Sequence, residues 1–302
     1  MTKQSPIKPR RGRSTAAQRW AWAVPMMAMT GCTPAGLLTS FDRLSSASEA
    51  KRVAAGVPYG TDSRQKLDIW APTRSRKDAL PVVVFFYGGG WSEGSRADYG
   101  FAGAAYASQE FIAVVPDYRL VPQVRFPAFV EDGAAAVRWV HDNIGRYGGD
   151  PKRISVAGHS AGAYIGAMLT LDPRFLKAAG ADPKIIRAAA LLAGPYDFYP
   201  FNESRGRNAF GNWKTPAETQ PVNFATRSAP PIFLGHGTAD RVVLSRNSKR
   251  LAEQLKAAGA EVELRLYPGA NHVDLASSLS RPFRNRTPVL AESADFLRRN
   301  SR

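Results

Sequence analysis

The 302-residue chain carries 41 Lys and Arg against 25 Asp and Glu, a formal net charge of +16, and its 44% hydrophobic content is enough for one large α/β domain or two small ones. A single Cys excludes an internal disulfide framework and a Cys-rich zinc site, and four His without H-E-x-x-H spacing give no basis for a metal enzyme, so no cofactor is expected. The basic excess is concentrated at the start: residues 1–31 hold Lys3, Lys8, Arg10, Arg11, Arg13 and Arg19 and no acid, and the rest carries no nucleic-acid motif, so nucleic acid is not an expected partner.

Residues 1–31 read as an export signal. A basic opening leads into an apolar stretch over 20–29, the length of a signal-peptide core and too short to span a bilayer. It ends in Met29-Thr30-Gly31-Cys32, and small residues directly before the sole Cys resemble a bacterial lipobox, which implies lipidation at Cys32. The expectation is an exported, membrane-tethered lipoprotein of the periplasm or outer membrane. Residues 32–53, rich in Ser, Ala and Thr, read as its tether.

From residue 54 to 302 strands and helices alternate. Residues 65–70 alternate like an edge or antiparallel strand, and 81–87 and 111–115 are continuous buried runs. Residues 127–144 place Val130, Ala134, Val137, Val140 and Ile144 on one helical face. A strand over 154–157 runs into Gly158-His159-Ser160-Ala161-Gly162 and then into a small, apolar helical stretch. Further buried runs cover 188–193, 231–235 and 262–267, with helices over 245–258 and 288–299. This order predicts an α/β fold, a mostly parallel central sheet with helices on both faces. Residues 194–228, rich in aromatics, Asn, Gly and Pro, break the alternation and read as a small lid over the sheet.

The chemistry gathers at the strand ends. G-x-S-x-G between a strand and a helix is the context of a nucleophile elbow: the turn is too sharp for side chains at Gly158 and Gly162, and it raises the Ser160 hydroxyl above the sheet at a helix N-terminus that favours negative charge. Gly88-Gly89-Gly90-Trp91 follows a buried strand, and glycine backbone N–H groups there can approach a developing oxyanion. A phosphate cradle is the competing idea, but neither G-K-[ST] nor G-x-G-x-x-G is present. Asp240 and His272 lie in loops after later strands, where an open α/β sheet meets its ligands, and the order Ser160, Asp240, His272 suits a hydrolase built on an elbow. His236 is the rival base, read as shaping the turn before Asp240, and Asp197 is the rival acid. Asp274 is too near His272 in sequence to orient it. His141 is expected on a solvent-facing helix, and His159 is the variable residue of the elbow.

On these residues the chain resembles an α/β-hydrolase of the hormone-sensitive-lipase-like carboxylesterase group and its relatives. The matching features, in order, are Gly88-Gly89-Gly90-Trp91, then Asp117-Tyr118-Arg119-Leu120 with Pro127 and Asp132, then the elbow, then the Asp240 and His272 loops. The Gly-Gly-x-Trp form and His272-Val273-Asp274-Leu275 also resemble the kynurenine-formamidase and feruloyl-esterase-like branches, and Tyr87 stands where the group's H-G-G-G signature has His. The resemblance implies Gly89, Gly90 and Ala161 as backbone donors to an oxyanion hole, and a serine hydrolase acting on small carboxylic esters through an acyl-enzyme. An N-formyl amide hydrolase is the alternative, and a non-catalytic hydrolase-like binding protein a third reading.

Overall fold

The computed structural model describes residues 1–2, 36, 38–40, 49–74 and 78–301. The export signal of residues 1–31 and the lipidation call at Cys32 lie outside the described residues, apart from residues 1 and 2. Chain from Cys32 to Arg302 forms one compact unit.

Its centre is an eight-stranded sheet in the order β1-β2-β4-β3-β5-β6-β7-β8. β1 (Ala50–Pro58) pairs antiparallel with β2 (Lys66–Pro72), and β2 pairs antiparallel with β4 (Ile112–Pro116). From β4 onward the ladder is parallel, through β3 (Leu80–Phe86), β5 (Gly149–His159), β6 (Ile186–Leu192), β7 (Ile232–Gly237) and β8 (Val262–Tyr267). Helices α1 (Gly100–Ser108) and α8 (Val289–Asn300) pack together on one face, and α2 (Ala128–Asn143) and α3 (Ala161–Leu171) on the other. With both faces covered, Val82 to Phe86 are fully buried and the run needs no polar alternation. The remaining helices are α4 (Pro173–Ala178), α5 (Ser204–Phe210), α6 (Arg246–Ala257) and α7 (His272–Ser277).

Two expectations need correction, and an open one is decided. The sheet begins at Ala50, inside the segment read as a tether, and Thr39 accepts a hydrogen bond from the backbone N–H of Phe101 at 3.3 Å. β2, read as an edge or antiparallel strand, is antiparallel to both of its neighbours and lies inside the sheet, because the mostly exposed β1 covers it. The run 262–267, read as buried, is the opposite edge strand and is only partly covered, with Tyr267 alone fully inside. Within 194–228, Phe198 and Phe210 pack 5.2 Å apart, and Phe210 stands edge-on to Trp91 of the glycine loop at 4.8 Å. The Tyr164 hydroxyl of α3 donates to the Thr219 carbonyl at 2.9 Å, so this segment is anchored to the core at several points.

Candidate active site

The carboxyl ends of β3, β5, β7 and β8 deliver four loops to one place. At the end of β5 the chain reverses into α3 through Ser160, which sits at φ 54°, ψ −121°, a region L-residues rarely occupy. The reversal depends on Gly162: a Cβ there would lie 2.0 Å from the Phe86 carbonyl oxygen of β3. The sharp turn at Ser160 and the small residue at 162 let the end of β5 pack against the end of β3, where the glycine loop begins.

The Ser160 hydroxyl lies 2.9 Å from His272 Nε2, and His272 Nδ1 lies 2.7 Å from Asp240 Oδ2. With a carboxylate on one side, Nδ1 carries the proton and donates, leaving Nε2 to accept from serine. Asp240 is buried, and its other oxygen accepts from the backbone N–H groups of Val242 and Val243, each at 2.9 Å. Burial pushes this carboxyl up, but hydrogen bonds from His236 and His272 outweigh it and hold the pKa well below the usual carboxylate range. The acid is therefore an anion wherever the protein is folded near neutrality. Tyr267 at the end of β8 and Ala270 receive the backbone N–H groups of Thr238 and Ala239, so the Asp240 and His272 loops are sewn together independently of their side chains.

The rival groups are occupied elsewhere. His236 is fully buried; its Nε2–H points to the Val243 carbonyl at 2.8 Å and lies 3.3 Å from Asp240 Oδ2, while its Nδ1 accepts from Ser248 at 2.7 Å. It contacts the same Asp240 oxygen that His272 does. Asp197 pairs with Arg250 at 2.8 Å. Asp274 caps α7 through the Asn271 N–H and pairs with Arg286 at 2.6 Å. His141 is exposed on α2.

Sequence reasoning passed over His159. Its ring is buried against that of His272, with centroids 4.7 Å apart, and its Nε2–H donates to the His272 backbone carbonyl at 2.9 Å. The residue before Ser160 thus holds the main chain of the imidazole that faces it. Its Nδ1 is buried and has no partner among the described residues. Desolvation, with help from the neighbouring His272, lowers the His159 pKa to about 3. Because an unfolded histidine titrates near 6.5, the unfolded chain binds a proton between those two values that the native state refuses. Stability is then greatest above pH 6.5 and falls as the pH drops toward 3, at up to about 1.4 kcal/mol per pH unit. His159→Asn, which removes the titration, is expected to flatten the decline of Tm between pH 6.5 and 4. A wild-type slope retained in that variant would assign the acid lability to other groups.

The glycine loop is held from behind. Gly89 has φ 126°, and a Cβ there would lie 2.1 Å from the Glu93 carbonyl oxygen. Among the described residues, the N–H groups of Gly89 and Gly90 make no hydrogen bond. That of Ala161, the first residue of α3, belongs to the helix turn that has no intrahelical acceptor. Tyr87 anchors the loop. Its hydroxyl accepts from Arg64 at 2.8 Å and donates to Asp117 at 2.9 Å, while its ring stacks on Tyr118 at 4.7 Å. Burial pushes the Tyr87 phenol well above its ordinary pKa, so it stays a neutral donor. Arg96 bridges Asp117 and Asp68, and Arg119 forks onto Asp132, which accounts for the Asp117-Tyr118-Arg119 and Asp132 motif as scaffolding. A cavity of about 1170 Å³ opens over Ser160, His272 and the glycine loop. Among the described residues no cluster of His, Cys, Asp and Glu could hold a metal ion, and no helix is long and apolar enough to cross a membrane.

A family model described as BD-FAE matches residues 67–255. Isoprenylcysteine alpha-carbonyl methylesterase ICME of Arabidopsis thaliana is 31% identical over 279 residues, covering 85% of this chain and 65% of its own length. The chain therefore spans less than two thirds of that plant relative. Carboxylesterase NlhH of Mycobacterium tuberculosis is 33% identical over 225 residues, with 67% of this chain and 68% of that protein covered. Among solved structures, a butyrate-bound thermophilic esterase of Thermogutta terrifontis superposes with a TM-score of 0.67 at 25% identity, covering 83% of this chain and 94% of that one.

Proposed function

This chain belongs to the BD-FAE family of α/β-hydrolases, and on that premise we propose that it is a carboxylesterase-like serine hydrolase that cleaves small carboxylic esters through an acyl-enzyme. The observation that carries the reading is the unbroken chain from Ser160 Oγ through His272 to the buried Asp240 anion, at 2.9 and 2.7 Å. Ser160 Oγ attacks the ester carbonyl as its proton passes to His272 Nε2, and Asp240 stabilises the imidazolium through Nδ1–H. The carbonyl oxygen takes up the negative charge and is met by the N–H groups of Gly89, Gly90 and Ala161. As the bond to the alcohol oxygen breaks, His272 returns the proton to it and the alcohol leaves. Water then repeats the sequence: it loses a proton to His272, attacks the acyl carbon and releases the acid with Ser160 restored. Neither His159 nor His236 hydrogen-bonds the Ser160 hydroxyl among the described residues; they hold the main chain of His272 and the carboxylate of Asp240.

The purified protein is expected to hydrolyse p-nitrophenyl acetate and butyrate, and an organophosphonate should inactivate it with one phosphonyl group recovered on the peptide containing Ser160. Absence of turnover together with absence of labelling would overturn the esterase reading. We further propose that the enzyme works outside the cytoplasm, a reading that rests on the acid-free basic start and the Thr30-Gly31-Cys32 sequence. Intact-mass measurement of the membrane-bound protein tests it: an unmodified Cys32, or a mature chain that begins elsewhere, removes the lipid anchor.

A further inference from the structure

The walls of the cavity differ in chemistry, and the difference is informative because the mechanism orients the substrate. The leaving oxygen must receive its proton from His272 Nε2, so the alcohol half of the ester lies on the His272 side. The residues lining that side come from the loop after Asp240, the start of α6 and the segment that begins at His272. They include Arg241, Arg246 and Arg286, and no acid of these segments lines the cavity. Arg286 is already paired with Asp274, but Arg241 and Arg246 are exposed and form no ion pair among the described residues. Arg246 also opens α6, a helix with no acid in its first turn, where a cation is opposed by the helix dipole. Helix stability does not account for its presence there.

The same wall is apolar between its charges. Val242, Leu244 and Val273 are 65%, 48% and 61% exposed, and all three line the cavity. The acids at the mouth, Glu93, Asp98 and Glu203, come instead from the glycine loop, the turn before α1 and the segment before α5. Glu93 is paired there with Arg205.

We propose that this wall recognises the leaving alcohol, and that it selects alcohols bearing an anionic group, such as a carboxylate, on an apolar spacer. The spacer lies along Val242, Leu244 and Val273, and the anion reaches Arg241 and Arg246. The inference rests on the ester-hydrolase reading above. Charge attraction at an exposed site is modest for one pair, and two arginines together should favour the anionic ester by about three- to tenfold in kcat/KM, an advantage that salt erodes.

The test compares 3-(4-acetoxyphenyl)propionate with its primary amide, which share the acyl group and the phenolic leaving oxygen and differ in charge at the far end. The full-length protein should prefer the anion at low salt, and Arg241→Gln combined with Arg246→Gln should bring the ratio of the two kcat/KM values close to one. Lys249→Gln with Lys256→Gln removes the same charge from α6 away from the cavity and should leave the ratio as it was. Equal kcat/KM for the two esters, or a preference that survives in the arginine variant or falls equally in the lysine variant, overturns the proposal while leaving the esterase reading in place. Hydrolysis of neither ester by protein that turns over p-nitrophenyl acetate also overturns the proposal, and only loss of that turnover with no labelling of Ser160 overturns the esterase reading itself. Acceleration of the neutral ester by phosphatidylglycerol vesicles without any preference between the soluble esters would assign the arginines to a lipid surface, and also overturns it.

Discussion

Ser160→Ala is expected to lower kcat for p-nitrophenyl esters on the order of a millionfold, as loss of the nucleophile does in serine hydrolases generally, and to leave the fold unchanged. The side chain is half-exposed at the cavity floor, and its only side-chain hydrogen bond among the described residues is to His272. Removing one oxygen opens no core cavity and orphans only an imidazole nitrogen that water can reach. The strained backbone at φ 54° is enforced by the packing of Gly162 against Phe86, so alanine inherits the same turn. Residual activity should come from the N–H groups of Gly89, Gly90 and Ala161, which still polarise a bound ester. Circular dichroism and Tm within a degree or two of wild type would establish that the loss is chemical. Near-wild-type kcat in a preparation free of contaminating esterase would place the nucleophile elsewhere.

What could be read from the chain follows from which residues answer to local rules. β3, β4, β6 and β7 are short apolar runs because both faces of a parallel sheet are covered, and such runs stand out against loops. The elbow and the glycine loop stand out because their geometry tolerates few residue types. β1 does not: most of its residues are exposed, and only its pairing with β2 makes it a strand. α1 is hidden for the opposite reason. Gly100, Phe101, Ala102, Gly103, Ala105, Tyr106 and Ala107 are all buried, so the helix has no polar face and no 3.6-residue period to detect. β8 reads as buried from Val262, Leu264, Leu266 and Tyr267, but Glu263 and Arg265 alternate with them, the pattern of a strand with one solvated face at the sheet edge.

The site shows the same division. Ser160, Asp240 and His272 fall at strand ends in a recognisable order, and the structure brings them within hydrogen-bond distance. The bracing contacts are long-range and carry no local signal. His159 reaches the His272 carbonyl across 113 positions, and Tyr87 meets Asp117 across 30. Tyr87 stands where the H-G-G-G signature of the resembled group has His. In the fold its buried phenol, held by Arg64 and Asp117, anchors the glycine loop.

The two histidines that contact Asp240 should separate sharply under substitution. His272→Ala is expected to cost about as much in kcat as Ser160→Ala, and the double variant no more than either alone, because the groups act as a unit. Asp240→Asn should cost on the order of ten-thousandfold, since an amide in place of the carboxylate favours the wrong imidazole tautomer. His236→Ala removes the groups that satisfy Val243 O and Ser248 Oγ inside the core, and unsatisfied buried partners of this kind cost about 1–3 kcal/mol each. Its signature should be a lowered Tm, with kcat within about tenfold of wild type, because Asp240 keeps its bonds to His272 and to the Val242 and Val243 N–H groups. The discriminating measurement is kcat at a temperature where every variant remains folded, set beside its melting curve. An inactive but folded His236→Ala alongside an active His272→Ala would transfer the role of base to His236 and require Ser160 and its partners to rearrange before catalysis.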